Sequence, residues 1–334
     1  GAAGSSVAMA DYAGTWQTNN VTVSPNGSEK MGGINADITL STEGQSVTFV
    51  YIDSTQGWVN VLDSTSNVRG NAYMTATVSG ACNTLATAPD CANTKIATFL
   101  GPGTFCVSAA AACAADNLVS YMVVAGGGGS PSGSGTAGGA GGFREYESPV
   151  TPYTSSPLDG NPGGTAITVS ASPYAITVGA GGAGGSPYPG CNVGANGANS
   201  VFSSITSAGG GYGGQAYGSP SPNFPAGKNI GAAGGSGGGG GYADTGPGSP
   251  SSTSNPLTQG GAGDTPPTTP DQGFPGGAGQ TGYYGNHGAG GGATAAGGDA
   301  SGPSPAPGGA GGNGGAGVEE QQQEPEVQVV AVQE

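Results

Sequence analysis

Residues 121–130 read YMVVAGGGGS, and the chain changes character after Ala125. Residues 1–125 contain 12 Gly and 3 Pro, whereas residues 126–334 contain 61 Gly and 22 Pro. A globular domain of ordinary composition has far more apolar and charged residues than the 34% and 7% found here. Composition therefore divides the chain into a region that can form a conventional core and a glycine-rich region that cannot.

The region before Ala125 has the alternation of half-buried β-strands. Apolar and polar residues alternate with a period of two in a series of segments that runs up to Ala125: NVTVS (20–24), ADITL (36–40), SVTFVYI (46–52), GWVNVL (57–62), YMTATVS (73–79), KIATFL (95–100), TFCVS (104–108) and LVSYMVVA (118–125). Two similar segments, TAITVS (165–170) and YAITVG (174–179), lie among the glycine tracts. We therefore expect an all-β N-terminal region and almost no α-helix.

Three structures compete for the glycine-rich region. A disordered linker is the first, because glycine-rich chains are flexible and have little apolar surface to bury. A collagen triple helix is excluded, because it needs Gly at every third position and the tracts GGGG (126–129) and GGGGG (237–241) break that phase. The third is a bundle of extended polyglycine helices of the polyproline II type, whose neighbouring backbones satisfy each other's hydrogen bonds.

Two features favour the packed bundle over disorder. Between Ser148 and Val318 only six residues are charged, whereas disordered segments are usually rich in charge. The glycine tracts are also separated by distinct, non-repeating segments with Pro at their corners, as expected for rods joined by individual turns. The predicted fold is an all-β region followed by a glycine-rich domain of packed polyglycine/polyproline II-type helices with irregular loops.

These patterns give four segments along the chain. We expect a β module at 1–70, a β-rich connector at 71–125, the glycine-rich domain at 126–317, and an acidic tail of Val, Gln and Glu at 318–334.

Charge and chemistry exclude several functional classes. Five basic residues are scattered among twenty acidic ones, so the sequence lacks the basic cluster that nucleic-acid binding needs. The single histidine, His287, lies in a Gly-rich segment and is expected to be exposed polar surface. We therefore predict a protein that is not an enzyme and has no metal, no cofactor and no nucleic-acid partner.

The cysteines permit two local disulfides. Cys82 and Cys91 form one close pair along the sequence, and Cys106 and Cys113 form another. Their spacing does not suit a zinc site. Bridges within each pair and free thiols both remain open.

One long stretch resembles a known family. It includes KIATFLGPGTFCVS (95–108), NLVSYMVVAGGGGS (117–130), GGAGGFREYESPVTPYTSSPL (138–158), AITVSASPYAITVGAGGAGG (166–185) and GANGANSVFSSITSAGGGYGG (194–214). These segments resemble, in order and spacing, the glycine-rich domain of tailed-bacteriophage tail fibre and minor tail proteins. The upstream segment from Gly14 to Trp58 resembles a β module that is common in phage fibres.

The resemblance implies a virion structural protein of the tail fibre or appendage type. Such proteins are often homotrimers, contact other virion proteins, and bind a host-surface glycan or outer-membrane protein. Some phage adhesins fold as packed polyglycine helices with variable loops at one tip. The expected location is therefore the virion, and the expected role is host adhesion.

Aromatic side chains in the turns are the candidate host-binding residues, because aromatic rings stack on sugars and other apolar faces. They are Tyr153, Tyr188, Tyr217, Phe224, Tyr242, Phe274, Tyr283 and Tyr284. They equally suit a role as covers for the ends of the glycine bundle. Trp16 and Trp58 are expected to be core residues.

Two other functions stay open. One is a purely structural virion or extracellular filament component without a receptor, whose copies make lateral contacts through the tail segment VQVVAV (327–332) added to a neighbour's sheet edge. The other is a secreted matrix protein of silk-like type.

Overall fold

The computed structural model describes residues 1–64, 73–89, 91–132, 135–186, 193–215, 228–243, 253–254, 256–282, 286–301, 315 and 327–333. The chain divides into two compact units, Gly1–Gly70 and Asn71–Glu334. The predicted segments 71–125, 126–317 and 318–334 all fall within the second unit.

The first unit is a small β structure. An antiparallel sheet has the order β1-β4-β5, and a separate pair is formed by β2 and β3. The bounds are β1 (Ser6–Ala10), β2 (Val21–Val23), β3 (Ile38–Leu40), β4 (Ser46–Asp53) and β5 (Gly57–Ser64). Leu40, Val47 and Phe49 form its buried centre, and Trp16 and Trp58 pack against them.

The second unit begins with β-strands that are interrupted by glycine-rich segments. Its described elements are β6 (Thr75–Ser79), β7 (Thr84–Ala88), β8 (Cys91–Phe99), β9 (Gly103–Ala109), a 3₁₀ turn (Ala114–Asn117), β10 (Leu118–Val119), β11 (Tyr121–Val124), β12 (Phe143–Tyr146), β13 (Ile167–Thr168), β14 (Pro173–Thr177), β15 (Ser200–Phe202), β16 (Ile205–Ser207) and β17 (Val327–Gln333).

Two five-stranded antiparallel sheets face each other in this unit. One has the order β12-β11-β17-β8-β7, and the other has the order β16-β15-β14-β9-β6. Their inward side chains form one apolar core, in which Phe202 makes edge contacts with both Phe105 and Tyr121 at centroid distances of 6.3 and 6.1 Å. Alternation with a period of two aims these residues inward from both sheets.

The prediction of an all-β class with almost no helix is confirmed. In the described part of the chain, helix is limited to the single 3₁₀ turn. Among these same residues there is no helix with the length and apolar character needed to cross a bilayer.

The structure differs from the sequence prediction at the segment LVSYMVVA. It forms two strands, β10 and β11, separated by Ser120. Ser120 is fully buried, and its hydroxyl accepts a hydrogen bond from the amide of Ser148 at 2.8 Å and bonds Thr151 Oγ1 at 2.8 Å. The chain changes its pairing partner at this residue, because β10 pairs with β13 whereas β11 pairs with β12 and β17.

Candidate functional site

Beyond the sandwich, the second unit contains extended segments without strand pairing, which we call glycine rods. Their ranges are 126–129, 136–142, 179–185, 194–199, 208–215, 229–235, 236–242, 258–263, 273–280, 286–292 and 295–301. They lie side by side, and backbone hydrogen bonds join each rod to its neighbours.

These hydrogen bonds repeat every three residues. The amides of Thr136, Gly139 and Gly142 donate to the carbonyls of Gly214, Gly211 and Ala208, at 3.2, 2.8 and 2.7 Å. A second antiparallel pair repeats the pattern: amides 274, 277 and 280 donate to carbonyls 292, 289 and 286. A period of three is the repeat of a polyproline II-type helix, in which every third residue faces the same neighbour.

Rods inside the bundle bond more than two neighbours. Rod 126–129 exchanges hydrogen bonds with rods 136–142, 179–185, 194–199 and 208–215. A β-strand pairs only within the plane of its sheet, so this arrangement is a three-dimensional backbone lattice. It agrees with the packed bundle that the sequence favoured over a linker.

Close backbone contact explains why these rods are made of glycine. A Cβ atom added at Gly211 would overlap the carbonyl oxygen of Ala232, and one at Gly197 would overlap that of Gly126. The described rod glycines do not have φ in the left-handed region. Glycine is therefore required by the lack of space for a side chain, and not by an unusual backbone conformation.

One end of the bundle joins the sandwich, and we call it the sheet end. Strands β11, β14 and β16 each lead into a rod there, and two further rods lead into β12 and β15. The amide of Ala125 donates to Gly142 at 3.0 Å, and that of Gly126 donates to Ala198 at 3.1 Å. These bonds align the strand–rod junctions side by side.

The opposite end, which we call the loop end, is where the long connections leave the rods. The amide of Gln215 donates to Lys228 at 2.8 Å, and that of Gln280 donates to Asn286 at 2.9 Å. Asn286 in turn donates from its side chain to the carbonyl of Ser301 at 3.1 Å. These bonds and the alignment of the rods place the ends of several rods here. The connections that begin at these rod ends are 130–135, 186–193, 216–228, 243–257, 281–285 and 302–314.

Tyr242 is the predicted aromatic residue that the structure places at the loop end. Its carbonyl accepts a hydrogen bond at 2.6 Å from the side chain of Asn229, which also donates to Gln215 at 3.0 Å. Its ring makes an edge contact with His287 at 5.4 Å. Sequence reasoning missed Asn229, although its position two residues before the segment GAAGG (231–235) suggests a residue that holds rod ends together.

Five predicted aromatic residues lie outside the described residues. They are Tyr188, Tyr217, Phe224, Tyr283 and Tyr284. Each belongs to a connection between rod residues that are placed at the loop end.

Two predicted aromatic residues lie elsewhere. Tyr153 follows β12, and its hydroxyl donates to the buried carboxylate of Glu145 at 2.9 Å. Phe274 begins rod 273–280 near the sheet end, where its amide donates to Gly292 at 3.0 Å. The structure therefore does not bring Tyr153 and Phe274 together with Tyr242.

His287 is half-buried, not the exposed polar residue expected from the sequence. Its Nδ1 atom is buried and has no hydrogen-bond partner in the described part of the chain. Burial lowers the pKa of His287 below its ordinary value, because the charged imidazolium loses hydration. A recess of about 440 Å³ lies beside it, lined by rods 136–142 and 286–292 and by Gly315.

The cysteines and acidic residues do not form a metal or disulfide site in the described part of the chain. The described residues contain no group of three or more His, Cys, Asp or Glu side chains that is placed to hold a metal ion. Cys82, Cys106 and Cys113 are free thiols, so no bridge joins Cys106 to Cys113. Cys106 is half-buried within β9, whereas Cys113 is exposed at the start of the 3₁₀ turn; the side chain of Cys91 lies outside the described residues.

Comparison with known proteins identifies the family. Searches of curated proteins and of solved structures found no match. A family model described as a glycine-rich domain matches residues 100–325, which include six of the ten sandwich strands and all the rods. The chain therefore belongs to this glycine-rich domain family.

Proposed function

We propose that this protein is a non-enzymatic virion component, a bacteriophage tail fibre or related appendage, whose loop end contacts a host-surface receptor. The observation that carries the proposal is the separation of the two ends of the rod bundle. Strands and rods meet at the sheet end, whereas the long connections leave the rods at the loop end. The resemblance to tail fibre and minor tail proteins supplies the biological setting.

The bundle suits the task of presenting variable loops. Its rods are held by backbone-to-backbone hydrogen bonds, so the scaffold does not depend on the side chains of the connections. Binding residues in many proteins lie on loops that are positioned by a rigid scaffold, because loops tolerate changes in sequence and length. Connections at the loop end can therefore vary while the scaffold stays the same.

The composition of the connections suits adhesion to a glycan or to an outer-membrane protein. Connections at the loop end carry Tyr188, Tyr217, Phe224, Tyr283 and Tyr284. Tyrosine provides a large contact area with few rotatable bonds, and its ring stacks on sugar faces. The recess beside His287 adds a concave surface near Tyr242. By the same resemblance we expect the assembled form to be a homotrimer bound to other virion proteins.

The test is replacement of one connection at the loop end. In one variant, residues 216–227 are replaced by a Gly/Ser segment of equal length. The control variant alters the loop that follows rod 258–263 at the sheet end, where Thr265, Pro266 and Pro267 are replaced by Ser. Both purified proteins are labelled and incubated with a panel of intact bacteria, and binding is measured by flow cytometry. We expect the bound fluorescence of the loop-end variant to be at least about tenfold lower than that of the unmodified protein, on the strains that the unmodified protein binds.

Retention of folding is checked by thermal unfolding of each variant. Equal binding by the loop-end variant would contradict a receptor role for this connection. If the unmodified protein bound none of the bacteria, a purely structural role in the virion would replace the adhesion proposal.

A further inference from the structure

Strand β17 occupies a central position in its sheet although it comes from a distant part of the sequence. It lies between β8 and β11 and pairs antiparallel with both. Six of its residues have partners on β8, from Val327 opposite Phe99 to Gln333 opposite Thr94. Val327 and Gln328 also pair with Val123 and Met122 of β11.

The other four strands of this sheet form two local hairpins. β7 pairs with β8, and β11 pairs with β12. β17 is therefore the strand that joins the two hairpins within the sheet. Without it, β8 and β11 would each present an unpaired edge to the other across a gap one strand wide, which we call the β8–β11 slot. Unpaired edges of this kind accept strands from other chains.

The connection to β17 does not fix which copy supplies the strand. Twenty-five residues separate Ser301 from Val327, and twelve steps separate Gly315, which is bonded to Gly290, from Val327. At about 3.3 Å per residue, twelve steps span up to about 40 Å. This reach is slightly shorter than the roughly 45–50 Å diameter of a domain of this size, so the strand can enter a slot on a copy that packs against it, but not one a full diameter away.

We propose that the β8–β11 slot is a strand-acceptor site and that the β17 strand of a second copy of this chain takes it, linking copies by strand exchange. Pairing within one chain and between chains forms the same hydrogen bonds. The balance between them then depends on the connection and on the local concentration of copies. The slot lies in a sheet of the sandwich and not at the loop end of the rods, so this linkage uses other residues than the proposed receptor contact.

Neighbouring register positions allow a direct test. Gln328 lies opposite Thr98. One full-length variant carries Thr98→Cys and a second carries Gln328→Cys. The two are mixed at high protein concentration, incubated under mild oxidation, and analysed by mass spectrometry for a 98–328 disulfide. In the mixture this bond can form only between copies, and the controls below distinguish strand exchange from random collision of thiols.

We expect a covalent dimer that contains the 98–328 linkage. Two controls test whether the bond depends on this pairing. In the first, the cysteine is placed at Thr87 on the neighbouring strand β7 in place of Thr98. In the second, the Gln328→Cys copy also carries Val330→Pro, which removes a backbone donor from β17. Each control should lower the yield of the linked dimer by at least about tenfold.

The doubly substituted chain, Thr98→Cys with Gln328→Cys, shows whether the geometry permits the bond at all. A 98–328 bond that forms only within the doubly substituted chain, with none in the mixture, would overturn strand exchange. Absence of the bond in both samples would overturn the slot itself. Neither result depends on binding to bacteria, so failure here is distinct from failure of the proposed function.

Discussion

Gly128 packs directly against the backbone of Gly211, and a Cβ atom added at Gly128 would overlap the Gly211 carbonyl oxygen. The preceding residue is different. A Cβ added at Gly127 would lie 3.6 Å from its nearest neighbour, the carbonyl oxygen of Gly139, which is an ordinary van der Waals distance. Two adjacent glycines in one rod therefore differ in the space that their surroundings leave for a side chain.

The first prediction compares these two glycines. Gly128→Ala should lower the free energy of unfolding by about 2 kcal/mol or more, because the added methyl group forces two rods apart. Gly127→Ala should change it by less than about 1 kcal/mol, and in the stabilising direction if the loss of unfolded-chain entropy dominates. Denaturant unfolding of both variants measures the difference.

A second pair repeats the comparison in another rod. A Cβ at Gly182 would overlap the carbonyl oxygen of Ala195, whereas one at Gly181 would lie 3.8 Å from that of Gly127. Equal effects of alanine at the two positions of either pair would contradict the packed lattice.

The second prediction concerns Gln272, which is fully buried at the sheet end. Its Oε1 accepts a hydrogen bond from the amide of Ala208 at 2.7 Å, and its side-chain amide donates to the carbonyl of Pro266 at 2.6 Å. Gln272→Met keeps the volume but leaves both backbone groups without this partner, so we expect a loss of about 1–3 kcal/mol of stability. Asp271→Asn, at the exposed neighbouring residue, is the control and should leave the unfolding midpoint unchanged.

The third prediction separates Tyr153 from the receptor-contact residues that we propose at the loop end. Tyr153→Phe removes a donor from the buried carboxylate of Glu145 and should cost about 1.5–3 kcal/mol of stability. The same chemical change at Tyr12, which is 95% exposed, should have no effect on stability. Below the unfolding temperature, binding of Tyr153→Phe to bacteria should equal that of the unmodified protein. A selective loss of binding would instead place Tyr153 in the contact surface.

The fourth prediction follows from the burial of His287. Because burial lowers its pKa below 6.5 in the folded chain, the unfolded chain binds more protons between the two pKa values. Stability from this group is therefore fully present above about pH 6.5 and is lost as the pH falls below that value.

The measurement is the free energy of unfolding as a function of pH, between about pH 8 and about pH 5, for the unmodified protein and for His287→Gln. The unmodified protein should lose more stability on acidification than the variant does. Parallel curves for the two proteins would show that the pKa of His287 is the same in both states.

The local sequence pattern predicted two kinds of element. These are the strands, in which apolar and polar side chains alternate, and the rods, in which most residues have no side chain. SVTFVYI and TFCVS became β4 and β9, since their apolar residues repeat with the period of a strand. Low charge and glycine tracts indicated packed rods. FREY, which forms β12, was not predicted as a strand, because its Arg144 and Glu145 are buried polar residues that only tertiary contacts explain.

The candidate site was predicted only in part because its geometry depends on contacts between residues that are far apart in the sequence. Like Tyr242, both Tyr153 and Phe274 lie near Pro and polar turn residues in the sequence. The register of the rods places Phe274 near the sheet end, whereas a hydrogen bond to Glu145 of β12 holds Tyr153 outside the rods. His287 is half-buried because Tyr242, forty-five residues away, packs against it. The position of β17 between β8 and β11 likewise depends on pairing across more than two hundred residues.

The measurement that tests the central claim most directly is amide hydrogen exchange across the glycine-rich region, read residue by residue. If the rods form a backbone lattice, amides that donate to neighbouring rods, such as those of Gly139, Gly211 and Gly277, should exchange at least about a thousandfold more slowly than an unstructured chain. Along rod 136–142, protection should fall on the amides of Thr136, Gly139, Ala140 and Gly142, which donate to neighbouring rods. Exchange at the rate of an unstructured chain throughout 126–301 would contradict the packed bundle and make this region a linker.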